Sequence, residues 1–173
     1  MVKPGLYICL FISCSLPQWS IAQTESPCAK GYLTDTLLNY WVGDWFGSGT
    51  VSGQQVGYSV HAEWVLEHQF VLIQLKDTAQ IPQYDAHIYF GYNCDENHYS
   101  VHWIDNFGAA FSQSLGYGIR DYYSIPLHFD YPEGKMVNTF TYDPVAQTWR
   151  SSSVYLTQEN TWAKFADITF TKK

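Results

Sequence analysis

The chain of 173 residues is 46% hydrophobic and 18% aromatic but only 14% charged, which is the reverse of a disordered composition. Its 16 acidic residues outnumber 9 basic ones, for a net charge of −7 with no basic cluster, so nucleic acid and anionic membrane surfaces are not expected partners. The length suits one domain with enough chain to bury a core.

The first element in chain order reads as an export signal. Lys3 supplies a positive start, residues 6–16 form a nearly unbroken apolar run, and Ser20-Ile21-Ala22 puts small residues where a signal peptidase reads them. Residues 1–22 are therefore expected to be a signal peptide cut after Ala22, leaving 23–173 as a single periplasmic or secreted domain. The apolar run is about half of the ~20 residues that a membrane-spanning helix needs, so no membrane span is expected. Cys9 and Cys14 leave with the signal, and Cys28 and Cys94 remain as an even pair in an oxidising compartment. A disulfide between them is the natural expectation wherever the fold brings them within bonding distance. Two isolated cysteines without histidines at ligand spacing do not make a metal site.

Residues 33–41 suit one short helix, with Thr34 or Asp35 as its cap. Beyond it lie ten runs rich in Tyr, Trp, Phe, Val, Ile and Thr: 44–52, 57–66, 69–78, 84–93, 98–107, 109–119, 122–131, 135–142, 147–157 and 161–171. The connections are too short for parallel crossovers, so successive runs pair antiparallel. A meander of this length must curl and close to hide its edges, which predicts an all-β, up-and-down barrel of about ten strands.

Alternation sorts the side chains into two faces. The apolar face carries Val60, Ala62, Trp64 and Leu66, then Ala86, Ile88, Phe90 and Tyr92, then Tyr99, Val101, Trp103 and Asp105. Further along it carries Phe111, Gln113, Leu115 and Tyr117, then Tyr123, Ile125, Leu127 and Phe129, then Met136, Asn138, Phe140 and Tyr142. The last run adds Trp162, Lys164, Ala166, Ile168 and Phe170. The opposite face holds His61, Glu63, Asp85, His87, Ser100, His102, His128 and Asp130, and is expected to meet water.

Barrels near this strand number can enclose a small ligand. The informative residues are then the polar ones on the apolar face: Asp105, Gln113, Asn138 and Lys164. With Trp45, Trp64, Phe90, Trp103, Phe111 and Phe140 they form the expected binding site for a small apolar or amphipathic ligand. Two alternatives stand beside it. A barrel packed solid with aromatics would be a structural or protein-interaction module, with an apolar patch outside, around Tyr89 and Ile104. A lyase- or isomerase-like enzyme would use Asp105 in the barrel mouth, close to a second polar group such as Lys164. There is no G-x-S-x-G, H-E-x-x-H or phosphate-cradling glycine loop, and no metal or catalytic set is expected from the outward histidines.

Gly43-Asp44-Trp45-Phe46-Gly47-Ser48-Gly49 matches G-x-W-x-G-x-G, with Trp45 as the plug of a crowded barrel end. This resembles the opening of calycin-type barrels, including lipocalins, fatty-acid-binding proteins and nitrobindin-like haem barrels. Trp64-Val65-Leu66 with Phe70-Val71-Leu72, Phe90-Gly91-Tyr92-Asn93, Tyr99 to Gly108 and Phe165 to Lys172 resemble the DUF1579 family across residues 38–172. That resemblance implies a lipocalin-like barrel and no established activity. Nitrobindin-like proteins hold haem through a histidine near the C-terminus, whereas His128 is the last one here, so no cofactor is predicted and haem is the minor alternative. Lipocalins pack a late basic residue over the motif's Trp, a place for which Lys164 or Arg150 is the candidate.

Overall fold

A computed structural model describes Cys28 and residues 33–173, so the expected signal peptide and its cleavage after Ala22 lie outside the described residues. Helix α1 (Thr36–Asn39) is followed by strands β1 (Gly43–Val51), β2 (Gln54–Val65), β3 (Phe70–Asp77), β4 (Asp85–Asn93) and β5 (His98–Asp105). A single 3-10 turn, Ala109–Phe111, leads to β6 (Leu115–Gly118), β7 (Ser124–Tyr131), β8 (Gly134–Asp143), β9 (Thr148–Leu156) and β10 (Trp162–Lys172). Each strand pairs antiparallel with its neighbours in sequence, and β10 pairs with β1 to close the ring. The ten-stranded up-and-down barrel expected from short connections is the fold observed, and it matches the lipocalin-like barrel that the resemblance implies.

The end where β1 begins is sealed. Asp35 caps α1, its Oδ1 accepting from the Leu38 amide at 2.8 Å, which orders a helix too short to hold by itself. The helix buries Leu37 and Leu38 and delivers Trp41 to the barrel axis. Trp41 stacks on Trp149 at 4.6 Å and meets Phe170, Trp45 and Phe140 edge-on at 5.2, 5.8 and 5.8 Å. Trp45 Nε1 donates to the Trp41 carbonyl at 2.6 Å, locking the motif's Trp to the plug. The basic group over Trp45 is Lys172, its Nζ 5.4 Å from the ring centroid, and not Lys164 or Arg150. Those two instead clamp Asp167 on the outer wall. In the motif, a Cβ on Gly49 would fall 2.0 Å from the Asp167 carbonyl oxygen, so only glycine lets β1 lie against β10 there.

Two further ties hold this end. Cys28 and Cys94 form a disulfide with a Cα separation of 6.1 Å, joining the chain ahead of α1 to the β4–β5 turn. Closing a loop of sequence separation 66 restricts the unfolded chain and contributes about 4 kcal/mol on the chain-entropy model. Asp35 also accepts from the Tyr99 hydroxyl and lies 3.8 Å from Arg120, so its buried carboxylate is compensated.

The inner face follows the expected alternation in most strands: Val60, Ala62, Ala86, Ile88, Phe90, Tyr99, Val101, Ile125, Leu127, Phe129, Asn138, Phe140, Tyr142, Ala166, Ile168 and Phe170 are buried. Four places differ. Residues 109–119 were expected as one strand with Phe111, Gln113, Leu115 and Tyr117 inside, but only Leu115–Gly118 pairs, and those four side chains face outward. The inward positions are glycines, because the Phe129 ring from β7 already fills that space: a Cβ on Gly116 would sit 2.3 Å from it. In β10 the register shifts between Lys164 and Ala166, and the bulge reverses the faces before it. Lys164 and Trp162 therefore point out, Lys164 with 61% of its side chain exposed. Leu66 and Tyr123 lie beyond strand ends and are exposed, Leu66 being the first of three successive residues with left-handed backbone in the β2–β3 turn.

Candidate functional site

The inner face places a column of rings along the barrel. Above the Trp41 plug, the Phe140 ring packs edge-on against Phe90 at 5.2 Å and lies nearly parallel to Trp103 at 6.4 Å. Aromatic pairs at these spacings gain from ring electrostatics as well as burial, and they fill the lower barrel with protein. On β9, across the ring from β4, the inward side chains above Trp149 are small and polar. Ser151 and Ser153 both donate to Asn138 Oδ1, at 2.8 and 3.5 Å, so this buried trio satisfies part of its own hydrogen bonding.

At the opposite, open end the column finishes in a polar relay. Trp103 Nε1 donates to the Tyr84 hydroxyl at 2.7 Å, and that hydroxyl donates to Asp105 Oδ2 at 3.2 Å. Asp105 Oδ1 accepts from the Phe107 amide at 3.0 Å, which fixes the carboxylate at the end of β5. The Tyr84 ring stands 5.6 Å from Phe107 and 6.1 Å from Tyr58. Trp103, Asp105, Tyr84 and Tyr131 are half-buried, so solvent reaches this level of the barrel and not the rings beneath it. Burial raises the Tyr131 phenol to about 12, with the nearby charge of Asp105 adding to it. The same two causes, burial first, hold the Tyr84 phenol well above the ordinary range. Both hydroxyls therefore stay protonated donors across physiological pH.

The expected site residues divide into three groups. Phe90, Trp103, Asp105, Asn138 and Phe140 share the interior. Trp45 and Trp64 belong to the sealed end, where Trp64 stacks on His68 at 5.2 Å and its Nε1 donates to Asn39 Oδ1 at 3.1 Å. Phe111, Gln113 and Lys164 lie outside the barrel and line no interior site: Phe111 is 55% exposed, Gln113 Nε2 donates to the Ala110 carbonyl, and Lys164 Nζ donates to Asp167 at 2.7 Å. Tyr58, Tyr84, Tyr131, Ser151 and Ser153 were missed. The three tyrosines share the parity of Val60, Ala86 and Phe129, so carrying the alternation one step towards each strand's open end finds them. The serines follow Trp149 in Arg150-Ser151-Ser152-Ser153, where both faces are polar and alternation carries no signal.

The outer wall carries two shallow grooves. One of about 400 Å³ runs over β3 to β6, lined by Leu66, Phe70, Tyr89, Ile104 and Leu115 with Ser100 and His102. The other, of about 410 Å³, lies between His98, Tyr117, Gly118, Ile119, Pro126 and His128. His102 Nε2 donates to the Ser112 carbonyl at 2.9 Å, and His61 is 2.9 Å from Asp44. Among the described residues no group of three His, Cys, Asp or Glu is placed to hold a metal ion, and no helix is long and apolar enough to cross a membrane. No family model matches the chain, and no curated protein matches it.

Proposed function

We propose that the protein is an exported binding barrel that takes a small, largely apolar ligand at its open end. The observation that carries this reading is Asp105: a carboxylate on the apolar inner face, held by one phenol and one amide among aromatic rings at a solvent-reached mouth. Ligand sites combine apolar walls with a few fixed polar groups, and this end of the barrel has both. Trp103 and Tyr84 form the wall, Phe90 and Phe140 the floor, and Asp105 the polar contact. Asn138 with its two serines is a second polar patch on the far wall. The site is shallow, because rings occupy the barrel below Trp103.

Export is supported by Lys3, the apolar run 6–16 and Ser20-Ile21-Ala22, and by a disulfide of the kind that persists in oxidising compartments. The resemblance to DUF1579 agrees with the barrel and adds no activity. The protein-interaction alternative is favoured by one observation, the apolar outer groove containing Tyr89 and Ile104. The lyase- or isomerase-like alternative asks for a second polar group such as Lys164 beside Asp105, and Lys164 is on the outer wall with Asp167.

Saturable binding of the neutral fluorophore N-phenyl-1-naphthylamine tests the reading. Wild type should bind it, and Trp103→Leu should weaken binding about tenfold, the loss of about 1.4 kcal/mol of aromatic contact. Binding unchanged by Trp103→Leu but lost in Ile104→Asp would move the site to the outer groove and sink the open-end reading.

A further inference from the structure

Asp105 is the inward-facing carboxylate of the open end, and its charge is met differently from that of four other aspartates. Asp35, Asp44, Asp130 and Asp167 each lie within 4.0 Å of a basic or imidazole nitrogen. Asp105 has no such partner among the described residues; its oxygens are met by the Tyr84 hydroxyl and the Phe107 amide alone. A carboxylate offers about four lone-pair positions, so two remain for a ligand. Of the basic side chains at this end, Lys164 is engaged with Asp167 and Lys135 with Asp130, and Lys76 is exposed on the outer face of β3.

The walls carry the same preference. Tyr58, Trp103 and Phe107 gather on Tyr84, whose hydroxyl meets the carboxylate, and aromatic faces attract an ammonium or guanidinium group through their negative quadrupole. The charge of Asp105 is felt at the Tyr131 and Tyr84 phenols, so the mouth holds a negative potential that water screens incompletely. An anionic head would meet that potential unfavourably, and a neutral head would leave it uncompensated. Resting on the open-end site proposed above, we infer that its ligand is an organic cation: an amine whose ammonium group meets Asp105 and whose apolar body lies against Trp103 and Tyr84.

Three isosteric compounds separate this from binding by apolar contact alone. 4-Phenylbutylamine, 4-phenylbutanol and 4-phenylbutyrate are titrated against protein loaded with N-phenyl-1-naphthylamine. The amine should displace the probe at about tenfold lower concentration than the alcohol, with the carboxylate weakest, as one charge-assisted contact predicts. Asp105→Asn removes the charge and keeps one carbonyl oxygen, which can serve the Phe107 amide while the new amide nitrogen faces the Tyr84 hydroxyl; it should bring the amine's displacement concentration level with the alcohol's. Equal displacement by amine and alcohol, or an amine advantage that survives Asp105→Asn, overturns the cation while leaving the open-end site standing. Failure of the probe itself to bind, or binding indifferent to Trp103→Leu, overturns both.

Discussion

Both ends of the barrel are lined with tryptophan and tyrosine, yet their polar groups are arranged oppositely. At the sealed end the indole of Trp45 is tied to the Trp41 backbone, Asp35 faces Arg120, and a disulfide joins the chain ahead of the helix to the β4–β5 turn. At the open end the relay from Trp103 through Tyr84 stops at Asp105, a carboxylate with no cation beside it. The difference teaches where stability and recognition are separated in this fold. A sealed end gains from compensating every charge, whereas a binding end keeps one charge for a partner to compensate.

Changing the plug should give the largest effect. Trp41→Ala removes a fully buried ring that touches four others, and by equilibrium denaturation should cost about 3–5 kcal/mol, the range for truncating a buried aromatic. A loss below about 1 kcal/mol would mean that the sealed end is not where the barrel's stability is concentrated. The matching change at the other end is Tyr84→Phe, which leaves the ring but strips Trp103 of its acceptor and Asp105 of a donor. It should cost about 1–2 kcal/mol because both groups are half-buried and water replaces part of what is lost. A cost as large as that of Trp41→Ala would erase the distinction between the ends.

The smallest effect concerns neither end. Arg150 and Lys164 hold the Asp167 carboxyl well below its ordinary range. A carboxyl lowered in the folded state stabilises the fold above its unfolded pKa of about 3.9, and the contribution is lost as pH falls through the folded value. Its partners are well exposed, so solvent screening limits the contribution to under about 1 kcal/mol. Asp167→Asn should therefore lower stability slightly at pH 7 and converge with wild type in strong acid. Divergence that grows as pH falls would contradict this origin.

Much of the barrel is legible because its cause is local. Short polar connections force antiparallel neighbours, and strict alternation from Val60 to Ala62 or from Ile125 to Phe129 shows which side is buried. The candidate site is legible where a polar residue interrupts such a face, as Asp105 and Asn138 do. It is illegible where the face depends on a distant residue. Phe111 and Tyr117 look like core by alternation, yet Phe129 has taken their space and leaves room only for Gly116. Lys164 looks like an inward polar residue until the bulge in β10 turns it out.

By itself, the sequence determined the strand count, the antiparallel order, a short helix ahead of the first strand and the parity of most strands, because these follow from steric and hydrophobic preferences acting over a few residues. Only the tertiary structure decided that Lys172 covers Trp45, that Tyr84 links Trp103 to Asp105, that the rings fill the lower barrel, and that Cys28 reaches Cys94. Each of those joins residues far apart in the chain. Their meeting depends on how the closed sheet twists and staggers its strands, a geometry set by all ten strands together.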